Sequence, residues 1–393
     1  MKPKFLLPLL LFVSLAGWFA SSRMTAQAPP APGQGAPPRG GPRGPRKPTT
    51  VMPFEEYDPK SMLVVPEHPV LKSKYPFVDV HHHPQARTQE DVDALVKDMD
   101  GINLQVMVNL SGGFGDRLKK NVEIYQSRYK DRFVIFTNFD FAGIDEPGYS
   151  QKVAKQIEDD YKAGARGLKI FKNFGMDLKD SKGERVHTDD PRFDAAFEMC
   201  GKLGMPVLIH TAEPQAFFLP IDKHNERWLE LEQFPSRARP PERYPSWEVL
   251  MQEQWNMFKR HPKTQFISAH LSWLGSDLGR LSKLFDEIPN MNTEIGAVLY
   301  DIGRQPRAAH AFFTKYQDRI FFGKDAWEPR DPIEYQCYFR VLESNDEYFD
   351  YYRKRHAFWK MYGIGLSDEV LKKIYYKNAL RLIPSIKASQ FPK

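Results

Sequence analysis

Residues 77–84 read FVDVHHHP, a short apolar run that ends in three histidines. Side chains alternate faces along a strand, so His81 and His83 share one face and His82 takes the other. Two imidazoles spaced this way can grip one metal ion between them. Asp79 lies on their face one step deeper, where it is expected to accept an N–H from a ligand histidine. An isolated triplet fits a polar turn equally well, so the surrounding pattern has to decide.

Seven further runs follow: LQVMVNL (104–110), FVIFTNF (133–139), GLKIF (167–171), PVLIH (206–210), QFISAH (265–270), MNTEIG (291–296) and RIFFG (319–323). Most are rich in Val, Ile, Leu or Phe, as buried strands are, and MNTEIG is the weakest. Helical stretches lie between them, among them DVDALVKDMD (91–100), YSQKVAKQIEDDYKAG (149–164) and DAAFEMCGKLG (194–204). The last two end in glycine, a helix-stop signal. Eight runs alternating with helices predict an α/β protein, a (β/α)8 TIM barrel, with a doubly wound sheet as the alternative. A final helix is expected over 367–383, capped by Ser367 with Asp368 and Glu369 in its first turn.

In a barrel the C-terminal ends of the strands form the active-site face. Polar residues fall at those ends: Asp79, His81 and His83, then Lys169, His210, His270, Glu294, Lys324 and Asp325. A third imidazole from His210 and a carboxylate from Asp325 would complete a site for a divalent ion. Nitrogen with carboxylate oxygen suits zinc or another first-row metal. Water on such an ion loses a proton near neutral pH and becomes a nucleophile. Each residue also has a plain reading. Lone histidines such as His187, His224, His261, His310 and His356 read as surface or capping residues, and Glu294 and Lys324 as partners in barrel ion pairs. The order HxH, strand-end His, strand-end His, strand-end Asp favours the metal site.

The ends of the chain carry other information. The N-terminus, MKPKFLLPLLLFVSLAGWFASS, has two lysines followed by an apolar stretch, which predicts a secretory signal over residues 1–26. An uncleaved anchor is the alternative, although the run is short for a membrane span. Residues 27–51 are rich in Pro, Gly and Arg and read as a disordered linker, leaving 52–393 as the barrel domain. The expected location is therefore periplasmic or extracellular, with no stable membrane span after cleavage. The net charge of +6 is modest and partly sits in the linker, so nucleic acid is not an expected partner. Two cysteines make no disulfide framework.

At this point the sequence resembles the amidohydrolase superfamily, and within it the amidohydrolase-related branch that holds aminocarboxymuconate semialdehyde decarboxylase. The matching stretches are FVDVHHHP, GLKIFKNFG, MPVLIHTAEP, FISAHLS, RIFFGKDAWEP and the closing KIYYKNALRLI, together spanning about 77–383. The resemblance implies that His81, His83, His210 and Asp325 bind metal, that Asp325 also takes a proton from water, and that His270 binds a second metal or polarises substrate or water. The ligand set makes zinc the expected metal, as one ion, and the resemblance implies two if Lys169 is carboxylated and bridges them. A substrate-binding ammonium on Lys169 or Lys172 and a structural ion pair are the other readings of Lys169. The long stretch after His210 offers Phe217, Phe218, Trp228, Arg237 and Arg239 as a roof, or as an exposed excursion or subunit contact. Arg304, Arg307 and Lys324 are candidates for a substrate carboxylate, and Glu294 for a substrate contact.

The expected function is a metal-dependent hydrolase of a small molecule. The alternatives are a nonoxidative decarboxylase, which uses the same ligands, and a noncatalytic binding barrel. A homodimer is expected from the resemblance alone.

Overall fold

Each apolar run becomes a strand: β1 Phe77–His82, β2 Leu104–Asn109, β3 Phe133–Ile135, β4 Leu168–Ile170, β5 Val207–Ile209, β6 Phe266–Ser268, β7 Met291–Glu294 and β8 Ile320–Phe321. The structure, a computed structural model, describes residues 50–326, 332–353, 356 and 359–393. The strands pair in parallel, β1 to β3 in one arc and β4 to β8 in another. Backbone hydrogen bonds join the arcs at both seams. Between β3 and β4, Thr137 N–H donates to Gly167 O at 2.9 Å and Lys169 N–H donates to Thr137 O at 2.8 Å. Between β8 and β1, Val80 N–H donates to Phe322 O at 3.0 Å and Asp325 N–H to His81 O at 2.8 Å. The ring of eight is the TIM barrel expected from the alternation.

The polar run MNTEIG is a strand because its polar groups are satisfied inside. Thr293 Oγ1 donates to Ser268 O at 2.7 Å and Asn292 Nδ2 to Phe266 O at 3.2 Å, so β7 is buried throughout. The helices are capped by their own side chains and by left-handed residues. Gln89–Ile102 opens on a Thr88–Asp91 capping box, buries Val92, Leu95, Val96, Met99 and Ile102, and ends on left-handed Asn103. Asp194–Leu203 ends on Gly204 at φ 65°.

The closing helix departs from a regular one. Ser367 caps it through Val370 N, but Lys373–Lys377 forms a π-turn between Asp368–Lys372 and Asn378–Leu382. There the Ile374 carbonyl accepts Phe322 N–H at 3.0 Å, drawn out of the helix ladder by the end of β8. Asn378 Nδ2 adds bonds to the Gln317 and Ile320 carbonyls at 2.7 and 2.8 Å.

Lys60–Lys393 form one compact unit. In the other, Met1–Pro59, the described residues carry one 3₁₀ turn at Phe54–Glu56. The signal and linker expected over 1–51 lie outside the described residues, except for residues 50 and 51. Among the described residues no helix is long and apolar enough to cross a membrane. Both cysteines are free, and burial pushes the Cys200 thiol up to about 12.

Candidate metal centre

The strands end in unusual backbone. Ala212 after β5, His270 after β6, Ala297 after β7 and Asp325 after β8 have φ of 60°, 61°, 55° and 61°. After β6 four consecutive residues are left-handed: His270, Leu271, Ser272 and Trp273, at 61°, 52°, 55° and 52°. L-residues resist this conformation by roughly 1–2 kcal/mol each. The turn is held by burial of Leu271, by the Ser268 Oγ–Ser272 Oγ hydrogen bond at 3.0 Å and by Trp273 Nε1 donating to Thr211 O at 3.0 Å. It packs the rings of His270 and Trp273 against each other, tilted by 31° with centroids 4.4 Å apart. Backbone strain of this kind concentrates at functional sites.

Three residues converge at the mouth. Nε2 of His81 and Nε2 of His83 lie 3.5 and 3.7 Å from Oδ1 of Asp325. Their donor atoms all fall within 4.8 Å of one another. The opposite ring nitrogens are tied down: Nδ1 of His81 by Glu294 Oε1 at 3.0 Å and Nδ1 of His83 by Ser111 Oγ at 2.9 Å. Each histidine therefore turns Nε2 to the shared space. Burial holds the His81 imidazole well below its usual range and His83 down to about 4. Burial alone would raise the Asp325 carboxyl, but its electrostatic surroundings, His81, His270, His83 and Lys169, hold it below the usual carboxylate range. Neutral imidazoles with an ionised carboxylate are the protonation states a divalent ion requires.

His210 does not join that cluster directly. Its ring meets His270 edge-on, with Nδ1 3.2 Å from His270 Nε2. His270 Nδ1 stands 2.8 Å from the Gly296 carbonyl, which only accepts, so His270 must donate there. For a neutral His270 this leaves Nε2 as acceptor and makes His210 Nδ1 the donor. His210 Nε2 is then a bare lone pair, and it is buried with no hydrogen-bond partner. That nitrogen lies 3.9 Å from Glu213 Oε2, with its lone pair open to a ligand. Lys169 Nζ, 1% exposed, stands 3.4 Å from His81 Nε2, and burial lowers its ammonium to about 8.

Several expectations change. Asp79 does not hold a histidine ring. Its carboxylate accepts the backbone N–H of His81 at 3.0 Å, that of Lys324 at 3.2 Å and the Tyr335 hydroxyl at 2.7 Å. Glu294 takes the ring-orienting role instead of a substrate contact; fully buried, it also accepts His270 N–H at 2.7 Å and Gly296 N–H. Gly323 and Gly296 make room for it, since a Cβ at either would fall 2.5 and 2.7 Å from Glu294 Oε2. Lys324 is buried and paired with Glu334, and Arg304 is held by Glu226 and Asp301, so neither is a ready carboxylate receptor. Arg307 is exposed. Lys172 and Arg239 share Glu213 Oε1 at 2.5 and 2.8 Å. In the long stretch after His210, Phe217 is buried, Arg237 pairs with Glu230, and Trp228 opens a short helix to Gln233. Ser111 and Glu213 were not singled out in the sequence; Ser111 stands just past the end of β2, the position from which it can reach His83.

Residues 127–384 match the Amidohydrolase family. No curated protein matches the chain. Among solved structures, dihydroxybenzoic acid decarboxylase from a Polaromonas species, with bound manganese and an inhibitor, aligns at TM-score 0.51 and 14% identity, over 80% of this chain and 98% of that one. A 2,6-dihydroxybenzoate decarboxylase complexed with 2,6-dihydroxybenzoate aligns at TM-score 0.49 and 15% identity, over 78% and 99%. The matched residues run from just before β3 to the closing helix, about two thirds of the chain, and the chain belongs to the amidohydrolase family.

Proposed function

We propose that this protein is an exported metal-dependent hydrolase of a small molecule, with His81, His83, His210 and Asp325 holding a divalent ion. The convergence of two histidine Nε2 atoms on one ionised carboxylate, each ring fixed from behind, carries this reading. A bound divalent ion supplies Lewis acidity that makes water a nucleophile near neutral pH. Asp325, ionised and at the mouth, accepts the proton of the attacking water. Its Oδ2 lies 3.9 Å from His270 Nε2, an acceptor nitrogen that can take that proton onward. Zinc is the proposed metal; the fold shared with a manganese-bearing decarboxylase makes manganese the second choice. A carboxylated Lys169 would bring a second ion, and a homodimer is the proposed assembly.

Metal analysis of the full chain, with His81→Ala as control, tests the centre. One ion per chain lost in the variant supports it. No ion, with no uptake of zinc or manganese, overturns it. Two ions together with an intact mass heavier by one carbon dioxide would place Lys169 in the bridge.

A nonoxidative decarboxylase is the second reading, favoured by Lys172 and Arg239 sharing the single carboxylate of Glu213. That leaves one positive charge near His210, which suits a carboxylate substrate. Carbon dioxide release from a hydroxybenzoate-type acid would decide for it.

A further inference from the structure

Asp325 stands in a seam that is zipped on both sides. Its own N–H donates to His81 O at 2.8 Å, and His83 N–H donates to Ala326 O at 2.8 Å. The third bond ends on a side chain. Lys324 N–H donates to Asp79 Oδ1 at 3.2 Å, and the same oxygen accepts His81 N–H at 3.0 Å. One carboxylate oxygen therefore joins the backbone of His81 to the residue that precedes Asp325. Among these bonds Asp325 is left-handed, with φ 61°. An L-residue keeps that conformation only where its surroundings hold it.

The other oxygen of Asp79 is anchored by a helix. Oδ2 accepts the hydroxyl of Tyr335 at 2.7 Å, and both side chains are buried. Tyr335 lies in the first turn of the helix Pro332–Glu343. Its ring packs beside Phe77 and Phe322, with centroids 6.1 and 6.3 Å away. Glu334, next to it, pairs with Lys324. The same turn thus reaches β1 through Asp79 and the end of β8 through Lys324. With Oδ2 fixed, the Asp79 carboxylate is kept from rotating, and Oδ1 stays on the two amides. The other bonds of the seam run from backbone to backbone, so Asp79 is the side chain through which sequence sets its geometry.

We propose that Asp79 and Tyr335 are positioning residues that hold Asp325 in the conformation which turns its carboxylate to His81 and His83. The effect on metal rests on reading those three as the metal centre. Tyr335→Phe tests the pair, since it removes one hydroxyl and keeps the ring. Tyr375→Phe is the control. That tyrosine is buried in the same ring cluster, 5.7 Å from Phe322, but its hydroxyl donates to Glu343 at 2.6 Å. Chelator competition on the full chain reads zinc affinity. Tyr335→Phe should bind zinc about tenfold more weakly, the low end for loss of an outer partner, and Tyr375→Phe like the wild type. Equal affinity in all three proteins, or the same loss in both variants, overturns the proposal. Hydrogen exchange gives a readout that needs no metal. The amides of His81 and Lys324 should exchange faster in Tyr335→Phe than in Tyr375→Phe. That result in a chain that takes up no zinc would sink the metal reading and leave the pair standing as what holds the seam; equal exchange would sink the pair as well.

Discussion

Oε1 of Glu294 stands 3.0 Å from Nδ1 of His81, and neither side chain touches solvent. The same oxygen accepts the backbone N–H of His270, so one buried carboxylate aligns a residue of β1 and a residue that follows β6. Glu294→Gln keeps the shape but removes the charge that orients the ring. Metal affinity should fall by about 10–100-fold, the usual cost of losing such a partner. Competition with a chelator measures it, and an unchanged affinity would show that the carboxylate orients nothing.

Gly323→Ala tests the space around that carboxylate. A Cβ there would sit 2.5 Å from Glu294 Oε2 and 3.1 Å from the Cβ of His81. Both are in the buried wall, so overpacking should cost about 1–3 kcal/mol in urea unfolding and lower metal content as well. Loss of stability with full metal loading would mean that Glu294 moves without disturbing His81.

Ser111→Ala removes the 2.9 Å partner of His83 Nδ1. The expected stability cost is about 1 kcal/mol, with a larger relative effect on metal affinity, about tenfold. Equal metal affinity in variant and wild type would assign the ring orientation of His83 to packing alone.

Asn378→Ala tests the closing helix. The amide ties it to the carbonyls of Gln317 and Ile320 beside β8, at 2.7 and 2.8 Å. One buried and one partly buried carbonyl lose a donor, so unfolding free energy should drop by about 2 kcal/mol while metal content per folded chain is unchanged.

The acid side of the stability curve should carry His356. Burial lowers its imidazole to about 4, against the pull of Glu230 3.0 Å away. The folded state thus favours the neutral ring, while the unfolded chain takes up a proton below the ordinary value of 6.5. This contribution is complete above 6.5 and is lost as pH falls toward about 4, by up to about 3 kcal/mol. His356→Asn should flatten the loss between those limits in pH-dependent urea melts; an unaltered slope would assign it to other groups.

Periodicity made the barrel legible because every strand is buried on both faces and so reads as an apolar run. MNTEIG was the hard case, since Asn292 and Thr293 are satisfied by β6 carbonyls that no local pattern reveals. The same limit applies to the centre. Alternation placed His81 and His83 together, and strand ends supplied His210, His270 and Asp325. Which carboxylate backs which ring depends on neighbours more than 200 residues away, as Glu294 is from His81. Asp79, two residues from His81, instead curls onto backbone N–H groups and Tyr335. The π-turn was also hidden, because Phe322 draws out a helix carbonyl from outside the helix.

The four left-handed residues from His270 to Trp273 have a chemical corollary. Backbone that L-residues resist is backbone that their mirror images prefer. A semisynthetic chain carrying D-serine at position 272 would relax where natural serine is held against its preference. The orientation of the histidine beside Asp325 is thus a matter of chirality, set by the hand of a single turn.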